Sequence, residues 1–331
     1  MSWSEVKLLK DRLNAGTRAL PLLIIEDTNN NLGGKTLTVT NGTYNHTIVF
    51  PQGESILPIT LECLGDWSVS YTDNGNTVTK TVTVDKVGGV TFSFLKIVSW
   101  SSGSDSEIVD MVTAADKGII TLSDYWNVGD ERTVHLSAMS ATGVGESHVE
   151  QDVTFVLLNS GGKTLTTATE SGRTECSFIA GMKDCLKETG YMNSTRTNVG
   201  GWTSCARRTW CNNVFKGAIP QTLLPIFKQF QNTTSVGGAS STLTTDNDYF
   251  AFVAEIEVYG TIPYAASGEG TLFKYYETSA NRLKKVNDSN YTWWNRSPHK
   301  SYSDRFCVEG VGSANASFSE TSMGIAPFGV I

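Results

Sequence analysis

Histidine, cysteine and clustered acidic side chains are the groups in this chain that could perform metal or nucleophilic chemistry. The acidic turn at residues 246–248 (Asp-Asn-Asp) carries oxygen ligands suited to calcium, although three such residues before a strand are typical of an ordinary turn. No two histidines have the spacing of a zinc site: His46, His135, His148 and His299. We therefore predict no metal and no cofactor.

The six cysteines are dispersed and form no CxxC pair: Cys63, Cys176, Cys185, Cys205, Cys211 and Cys307. Their number is far below that of a disulfide scaffold. Residues 1–10 lack the apolar core of a secretion signal, so we expect folding in a cytosol. Buried free thiols are then the expected state, with disulfides as the open alternative.

Composition excludes several classes of function. The 331 residues carry a net charge of -7 and no basic cluster, so we predict no nucleic-acid partner. No apolar run reaches the ~18 residues of a membrane span, so we predict no membrane insertion. A hydrophobic fraction of 39% with 18% charged residues is typical of folded domains with real cores.

Recognition is the chemistry that the C-terminal residues favour. Two blocks rich in aromatic residues, proline and glycine, residues 293–298 (WWNRSP) and 324–331 (GIAPFGVI), have the composition of a scaffold. The segment between them is polar, with residue types that recognition loops favour, although an ordinary solvated loop is the alternative. The predicted ligand-binding residues are Asn290, Tyr291, Asn295, His299, Lys300, Tyr302, Asp304, Asn315, Ser317 and Ser319.

The first block should also contribute to the core. Trp293 and Trp294 point to opposite faces of a strand, so at least one is expected in the core, and the other could face a ligand. Arg296 has five fixed donors suited to holding loop carbonyls or a carboxylate, and Glu255 or Glu257 is the expected partner. We predict no catalytic residue.

The sequence pattern divides the chain into a helix, a β-sandwich, a linker and a last domain that carries the predicted binding residues. Residues 1–17 predict a short helix, docked on the next domain or used for attachment or oligomerisation. Residues 18–98 hold seven short, β-branched segments, which predict an antiparallel sandwich. Residues 99–105 (SWSSGSD) predict a linker before a domain at 106–331.

The last part mixes helical and extended patterns. Helices are predicted at residues 106–117, 174–189, 206–215 and 223–230. Strands are predicted at 132–136 (edge-like), 152–159 (central) and 249–259 (buried). The prediction is therefore an α+β chain.

Six motifs in order give a family resemblance over residues 106–331. They are DYWNVGDERTV, GGW..C.RR.W.N, Ala218-Ile219-Pro220, AEIEVYG, WWNRSP and GIAPFGVI, with an apolar strand between the first and the second. The order resembles a domain-of-unknown-function family of gut-bacterial and phage proteins with a terminal WWxRSP and GxxP motif. One departure is Ala326, where that family often carries arginine.

That family is similar to the C-type-lectin-like variable proteins of diversity-generating retroelements. The resemblance implies an immunoglobulin-like β-sandwich spacer followed by a C-type-lectin-like (formylglycine-generating-enzyme-like) domain. It also implies a phage or prophage receptor-binding protein of a tail tip or fibre, with a surface that a retroelement diversifies. The expected partners are a host cell-surface protein or glycan, other virion proteins and copies of the same chain, guessed as a trimer. The expected location is the virion, after synthesis in the bacterial cytoplasm, or otherwise the bacterial cell surface.

Two alternatives stay open. One is a structural decoration or fibre protein of the virion without ligand binding. The other is an enzyme of the formylglycine-generating type, which needs a reactive cysteine pair near its C-terminal active site. Only Cys307 lies in that region, between Phe306 and Val308, where burial is expected. We therefore predict that the protein is not an enzyme.

Overall fold

The computed structural model describes residues 21–27, 32–73, 75–85, 90–93, 95, 97–118 and 120–331. The chain divides into two compact units, Met1–Ile97 and Val98–Ile331. The predicted helix within residues 1–17 lies outside the described residues.

The described residues of unit 1 form seven strands in two sheets: β1 (Leu22–Glu26), β2 (Thr36–Thr40), β3 (Asn45–Val49), β4 (Ile56–Thr60), β5 (Gly65–Asp73), β6 (Asn76–Val84) and β7 (Val90–Ser93). One sheet has the antiparallel order β3-β2-β5-β6. The other has the order β4-β1-β7, in which β1 pairs antiparallel with β4 and parallel with β7.

Alternation along β5 explains how unit 1 forms its core. Trp67, Val69 and Tyr71 point inward, and the residues between them are half-buried or exposed. They pack in one apolar cluster with residues of the other sheet, among them Leu23 and Ile59. This burial of aromatic and branched side chains stabilises the unit.

Unit 2 contains twelve strands and four α-helical segments within its described residues. The helices are α1 (Asp105–Asp116), α2 (Ala206–Trp210), α3 (Lys216–Ala218) and α4 (Glu255–Tyr259). The strands are β8 (Glu131–Leu136), β9 (Gln151–Ser160), β10 (Phe178–Met182), β11 (Phe230–Ser235), β12 (Leu243–Asp248), β13 (Phe250–Ala251), β14 (Lys284–Val286), β15 (Ser289–Tyr291), β16 (Trp293–Pro298), β17 (Arg305–Glu309), β18 (Ala314–Phe318) and β19 (Phe328–Val330). Short 3₁₀ turns lie at Leu122–Asp124, Leu224–Ile226, Lys274–Glu277 and Ser279–Arg282.

The largest sheet of unit 2 has the order β13-β19-β10-β9-β8. The predicted strands at 132–136 and 152–159 are confirmed as β8, at the edge, and β9, in the interior. The block at residues 324–331 supplies β19, which lies between β10 and β13. Three smaller sheets complete the unit: β11-β12, β14-β15 and β16-β17-β18.

The predicted α+β class is wrong, because the chain is β-rich, with several small sheets and only 15% helix. The predicted helix at 174–189 is instead centred on β10, whose five residues are all buried. A strand buried on both faces loses the alternation that would identify it. Residues 223–230 form only a 3₁₀ turn around Pro225. The predicted order of an immunoglobulin-like sandwich followed by a C-type-lectin-like domain belonged to that α+β class. It is replaced by the description of a β-rich chain with several small sheets.

Helix α1 follows the sequence prediction for 106–117. Ser104 caps its N-terminus, and its hydroxyl accepts a hydrogen bond from the Glu107 amide while the Glu107 carboxylate accepts one from Ser104. Within residues 99–105, predicted as a linker, Trp100 is fully buried in unit 2. Among the described residues, no helix is both long and apolar enough to cross a membrane.

Candidate functional site

Strand β16 forms the buried base of the C-terminal region, and all six of its residues are buried. The predicted pairing of Arg296 with a nearby glutamate is confirmed, because its guanidinium donates two hydrogen bonds of 2.6 and 3.0 Å to the Glu257 carboxylate. It also donates to the carbonyls of Phe252 and Glu269. Glu257 lies on α4 and not on the predicted strand at 249–259, whose extended part is only β13.

Both tryptophans of β16 belong to the scaffold. The indole N–H of Trp293 donates to the Arg282 carbonyl, and that of Trp294 donates to the Gly190 carbonyl. Both side chains are fully buried, so neither faces a ligand.

The loop between β16 and β17 is held from below by Asn198. Its side-chain amide donates to the carbonyls of Tyr302 (2.9 Å) and Arg305 (2.6 Å), and its backbone N–H donates to Ser303 (2.7 Å). Asn198 is fully buried, and its side-chain oxygen accepts from the Gly238 amide. A single buried side chain therefore fixes the course of this surface loop.

Above Asn198, aromatic and charged groups stack on one another. We call them the Tyr302 surface: Arg196, His299, Tyr302, Asp304, Arg305 and Phe318. The Arg305 guanidinium lies 4.6 Å from the ring centroids of both Tyr302 and Phe318. Arg196 lies 3.4 Å from the Phe318 ring and pairs with Asp304 at 3.1 Å. These cation–π contacts order long side chains that would otherwise move freely.

His299 supports Tyr302 from the other side. The two rings meet edge to face with centroids 4.6 Å apart, and the Nδ1 atom of His299 accepts a hydrogen bond from the Ser301 amide. Burial lowers the pKa of His299, and the nearby Arg305 charge lowers it further. The imidazole is therefore neutral near pH 7 and acts as a rigid support for Tyr302.

The ten predicted ligand-binding residues fall into separate groups. Tyr302 is 51% exposed, and Asp304 and Lys300 are half-buried beside it. Asn290 and Tyr291 are exposed, but they lie on the separate β14-β15 sheet. On β18, Asn315 is exposed and Ser317 is half-buried.

Three of the ten residues are buried, and the expectation that they face solvent is wrong. Asn295 is fully buried because β16 runs through the interior. His299 packs beneath Tyr302, as described above. Ser319 is also fully buried, where its hydroxyl accepts from the Thr197 amide (2.9 Å) and donates to the Thr195 carbonyl (3.0 Å).

Sequence reasoning missed Arg196, Asn198, Arg305 and Phe318. Arg305 and Phe318 lie within the predicted polar segment but were not among the ten predicted residues. Arg196 and Asn198 lie about a hundred positions earlier in the chain, and no local pattern connects them to Tyr302. The signal available was the polar composition of residues 193–198 (NSTRTN), which is typical of a loop.

The cysteines and the acidic residues within 246–248, the other groups that could perform chemistry, are buried or already hydrogen-bonded to protein groups. All six cysteines are free thiols, five of them buried, and burial raises the pKa of Cys307 well above its ordinary value. Within the described residues, no group of three or more His, Cys, Asp or Glu side chains could hold a metal. The expected turn at residues 246–248 is instead the end of β12. Asp246 accepts from the Thr203 hydroxyl and Asp248 accepts from the Trp202 indole N–H, so protein donors already contact these carboxylates.

Two hollows flank the helical segment at residues 206–218, which passes through a π-helical turn at Cys211–Phe215. Their volumes are about 350 and 340 Å³, and Thr209 and Asn213 line both. The second is lined by amide side chains and by Lys216, whose ammonium lies 3.3 Å from the centre of the Tyr249 ring. Neither hollow includes any of the ten predicted residues.

The structure defines unit 2 as a β-rich domain with an ordered aromatic and cationic surface. Its residues 180–330 match the family model of a domain of unknown function, DUF6273. This match runs from within β10 to the end of β19 and therefore includes every residue of the Tyr302 surface. A comparison with curated proteins gave no match, and neither did a comparison with solved structures.

Proposed function

We propose that the protein is a binding protein that presents the Tyr302 surface to a ligand on another cell. The observation that carries this proposal is the exposed Tyr302 ring, held between His299 and Arg305 above a loop that Asn198 fixes. A tyrosine that is ordered before binding offers a large contact area and loses little conformational entropy. The charged groups of Arg196 and Asp304 supply polar contacts at its rim.

The chemistry of this surface suits a cell-surface glycan or protein. Tyrosine and arginine are, with tryptophan, the residue types enriched at energetically important positions of interfaces. The surface lies in a rigid part of the chain, because Ser319 and Asn198 join β18 and the loop to residues 193–198. No group of the Tyr302 surface is arranged as a nucleophile beside a base, so binding is favoured over catalysis.

The setting that we propose is a phage or prophage receptor-binding component, carried on the virion and made in the bacterial cytoplasm. This part of the proposal rests on the order of sequence motifs. It includes diversification by a retroelement, which would act on exposed positions such as Tyr302, Asn315 and Tyr291. A nearby reverse-transcriptase gene with a near-copy of the 3′ coding end, differing at adenines, would support diversification. A genomic neighbourhood without these elements would remove that part.

The experiment is a binding assay of labelled protein on a panel of gut-bacterial cells and on a glycan array. We expect Tyr302→Ala to weaken binding about tenfold or more, because it removes the central contact, while the melting temperature stays unchanged. The matched control is Tyr44→Ala, which removes a tyrosine of similar exposure (41%) from unit 1.

Two results would oppose this function. Equal binding by Tyr302→Ala and the unchanged protein would show that the Tyr302 surface does not bind. A stable oligomer that covers Tyr302 would instead favour a purely structural protein of the virion. Solvent accessibility of Tyr302 in the assembled protein, measured by iodination, separates these cases.

A further inference from the structure

Lys163 and Asn232 lie side by side in the interior of unit 2. Lys163 follows β9, and Asn232 lies in β11. The Gln231 amide donates to the Thr164 carbonyl at 2.8 Å, and Leu165 pairs with Phe230, so the two segments are held in antiparallel register. The Lys163 amine nitrogen, Nζ, lies 3.4 Å from the Asn232 side-chain oxygen, Oδ1. Both side chains are buried.

The amide of Asn232 has a fixed orientation. Its Nδ2 atom donates to the Asp248 Oδ2 atom at 3.0 Å. An ionised carboxylate only accepts hydrogen bonds, so the NH₂ side of the amide faces Asp248 and the carbonyl side faces Lys163. The electrophilic carbon, Cγ, is bonded directly to the oxygen that the Lys163 amine contacts.

Burial and charge act on the Lys163 amine in opposite directions. The ring centroids of Phe230, Phe273 and Phe328 lie 5.7 to 6.0 Å from Nζ. Burial lowers the pKa of Lys163, although Glu257 opposes this effect. An amine that has lost its proton is a nucleophile, as buried lysines are in covalent catalysis.

Glu257 is the group in contact with the amine, since its Oε1 atom lies 2.5 Å from Nζ. Burial alone would raise the pKa of Glu257, but the charges of Arg296 and Lys163 outweigh burial and lower it to about 2. Glu257 therefore holds a proton only transiently. One transfer in the lifetime of each molecule is enough for a reaction that occurs once.

We propose that Lys163 and Asn232 join in an intramolecular isopeptide bond, with Glu257 as the proton acceptor. The Lys163 ammonium gives a proton to Glu257, and the neutral Nζ attacks Cγ of Asn232. In the adduct Nζ still carries two hydrogens, so it gives one to the departing nitrogen while Glu257 returns the first proton to that nitrogen, and the Cγ–Nδ2 bond breaks. The products are a secondary amide and one ammonium ion, so atoms, charge and electrons balance and no oxidant is needed.

Charge balance in the interior favours the product. Before the reaction, the cations of Lys163 and Arg296 share the Glu257 carboxylate. Afterwards one positive charge has left as ammonium, and Glu257 and Arg296 form a matched pair. Because an incompletely compensated buried charge is costly, this change stabilises the folded state. The cross-link is independent of the binding function proposed above.

The test is the intact mass of the purified full chain, denatured after folding. We expect a mass about 17 Da below that of the unmodified sequence, the loss of one ammonia. Proteolysis should also yield a branched peptide that contains both Lys163 and Asn232. Folded wild-type protein with the unmodified mass, after prolonged incubation, would overturn the proposal without any variant.

Variants distinguish the cross-link from other losses of ammonia. Lys163→Met and Asn232→Ala should both restore the unmodified mass, whereas cyclisation of another asparagine would persist in Lys163→Met and would overturn the proposal. Lys284→Met is the matched control, because Lys284 is also a buried lysine but donates to the backbone carbonyls of Met182 and Lys183. It should keep the mass loss.

Discussion

Replacing Ser319 by alanine tests whether this residue, which follows β18 directly, has a scaffold role or a binding role. The Ser319 hydroxyl is buried and makes two hydrogen bonds, one from the Thr197 amide and one to the Thr195 carbonyl. Each of these hydrogen bonds contributes about 1 kcal/mol, so the Ser319→Ala variant should lose about 2 kcal/mol of unfolding free energy in unit 2. For a unit of this size, about 2–4 °C is lost per kcal/mol, so the melting temperature should fall by about 4–8 °C.

The assay is differential scanning calorimetry of the unit 2 transition, with hydrogen exchange at residues 193–198 as a second measurement. Ser317→Ala is the control, since Ser317 lies two residues earlier and no hydrogen bond of its hydroxyl is recorded in the described structure. We expect that variant to melt within about 1 °C of the unchanged protein. If both variants melt alike, or if amide exchange near Thr197 is unaltered, Ser319 does not hold residues 193–198 and the reasoning fails.

Other predictions concern buried charge and the thiols. Glu257→Gln should destabilise unit 2 by about 3–5 kcal/mol in denaturant titrations, because Arg296 would keep a buried charge without its partner; a loss below 1 kcal/mol would contradict this. The Glu257 pKa of about 2, against an ordinary 4.5, contributes stability above pH 4.5 that is lost as the pH falls towards 2. Burial, followed by the Arg207 charge, lowers the pKa of His148 from 6.5 to about 4. As the pH falls from 6.5 to about 4, the unfolded chain binds this proton before the folded protein does, so the free energy of unfolding decreases over that range. His148→Gln should flatten that part of the pH–stability curve, and the exposed control His135→Gln should not. A thiol reagent should label only Cys63 in the folded protein and all six cysteines after denaturation.

The periodicity of apolar residues correctly predicted helices and strands that have one solvent-exposed face. Helix α1 was identifiable from its apolar stripe, and β8 from its alternation, because each borders solvent. The pattern failed at β10, whose five residues are all buried, whereas the buried strand β9 was predicted from its apolar run alone. It also failed at α4, where a helix of five residues is placed by its contacts and not by its propensity.

The candidate site was only partly predictable. Tyr302 and Asp304 could be found because they lie in a polar segment between two scaffold blocks. Burial of Asn295 and Ser319 was not visible, because a polar residue type does not reveal whether its side chain lies at the surface or in the interior. Asn198, which fixes the loop, is adjacent to it only after folding.

The position of β19 bears on how unit 2 folds during synthesis. Val330 pairs with Ile179, so the middle of the largest sheet joins segments far apart in the chain. Contacts of such long range require an entropically costly loop to close, which slows folding. On a ribosome, β10 must wait with an unpaired edge until Val330 has been made. Unit 2 should therefore complete its core late, and chaperones that shield exposed strand edges should raise its yield.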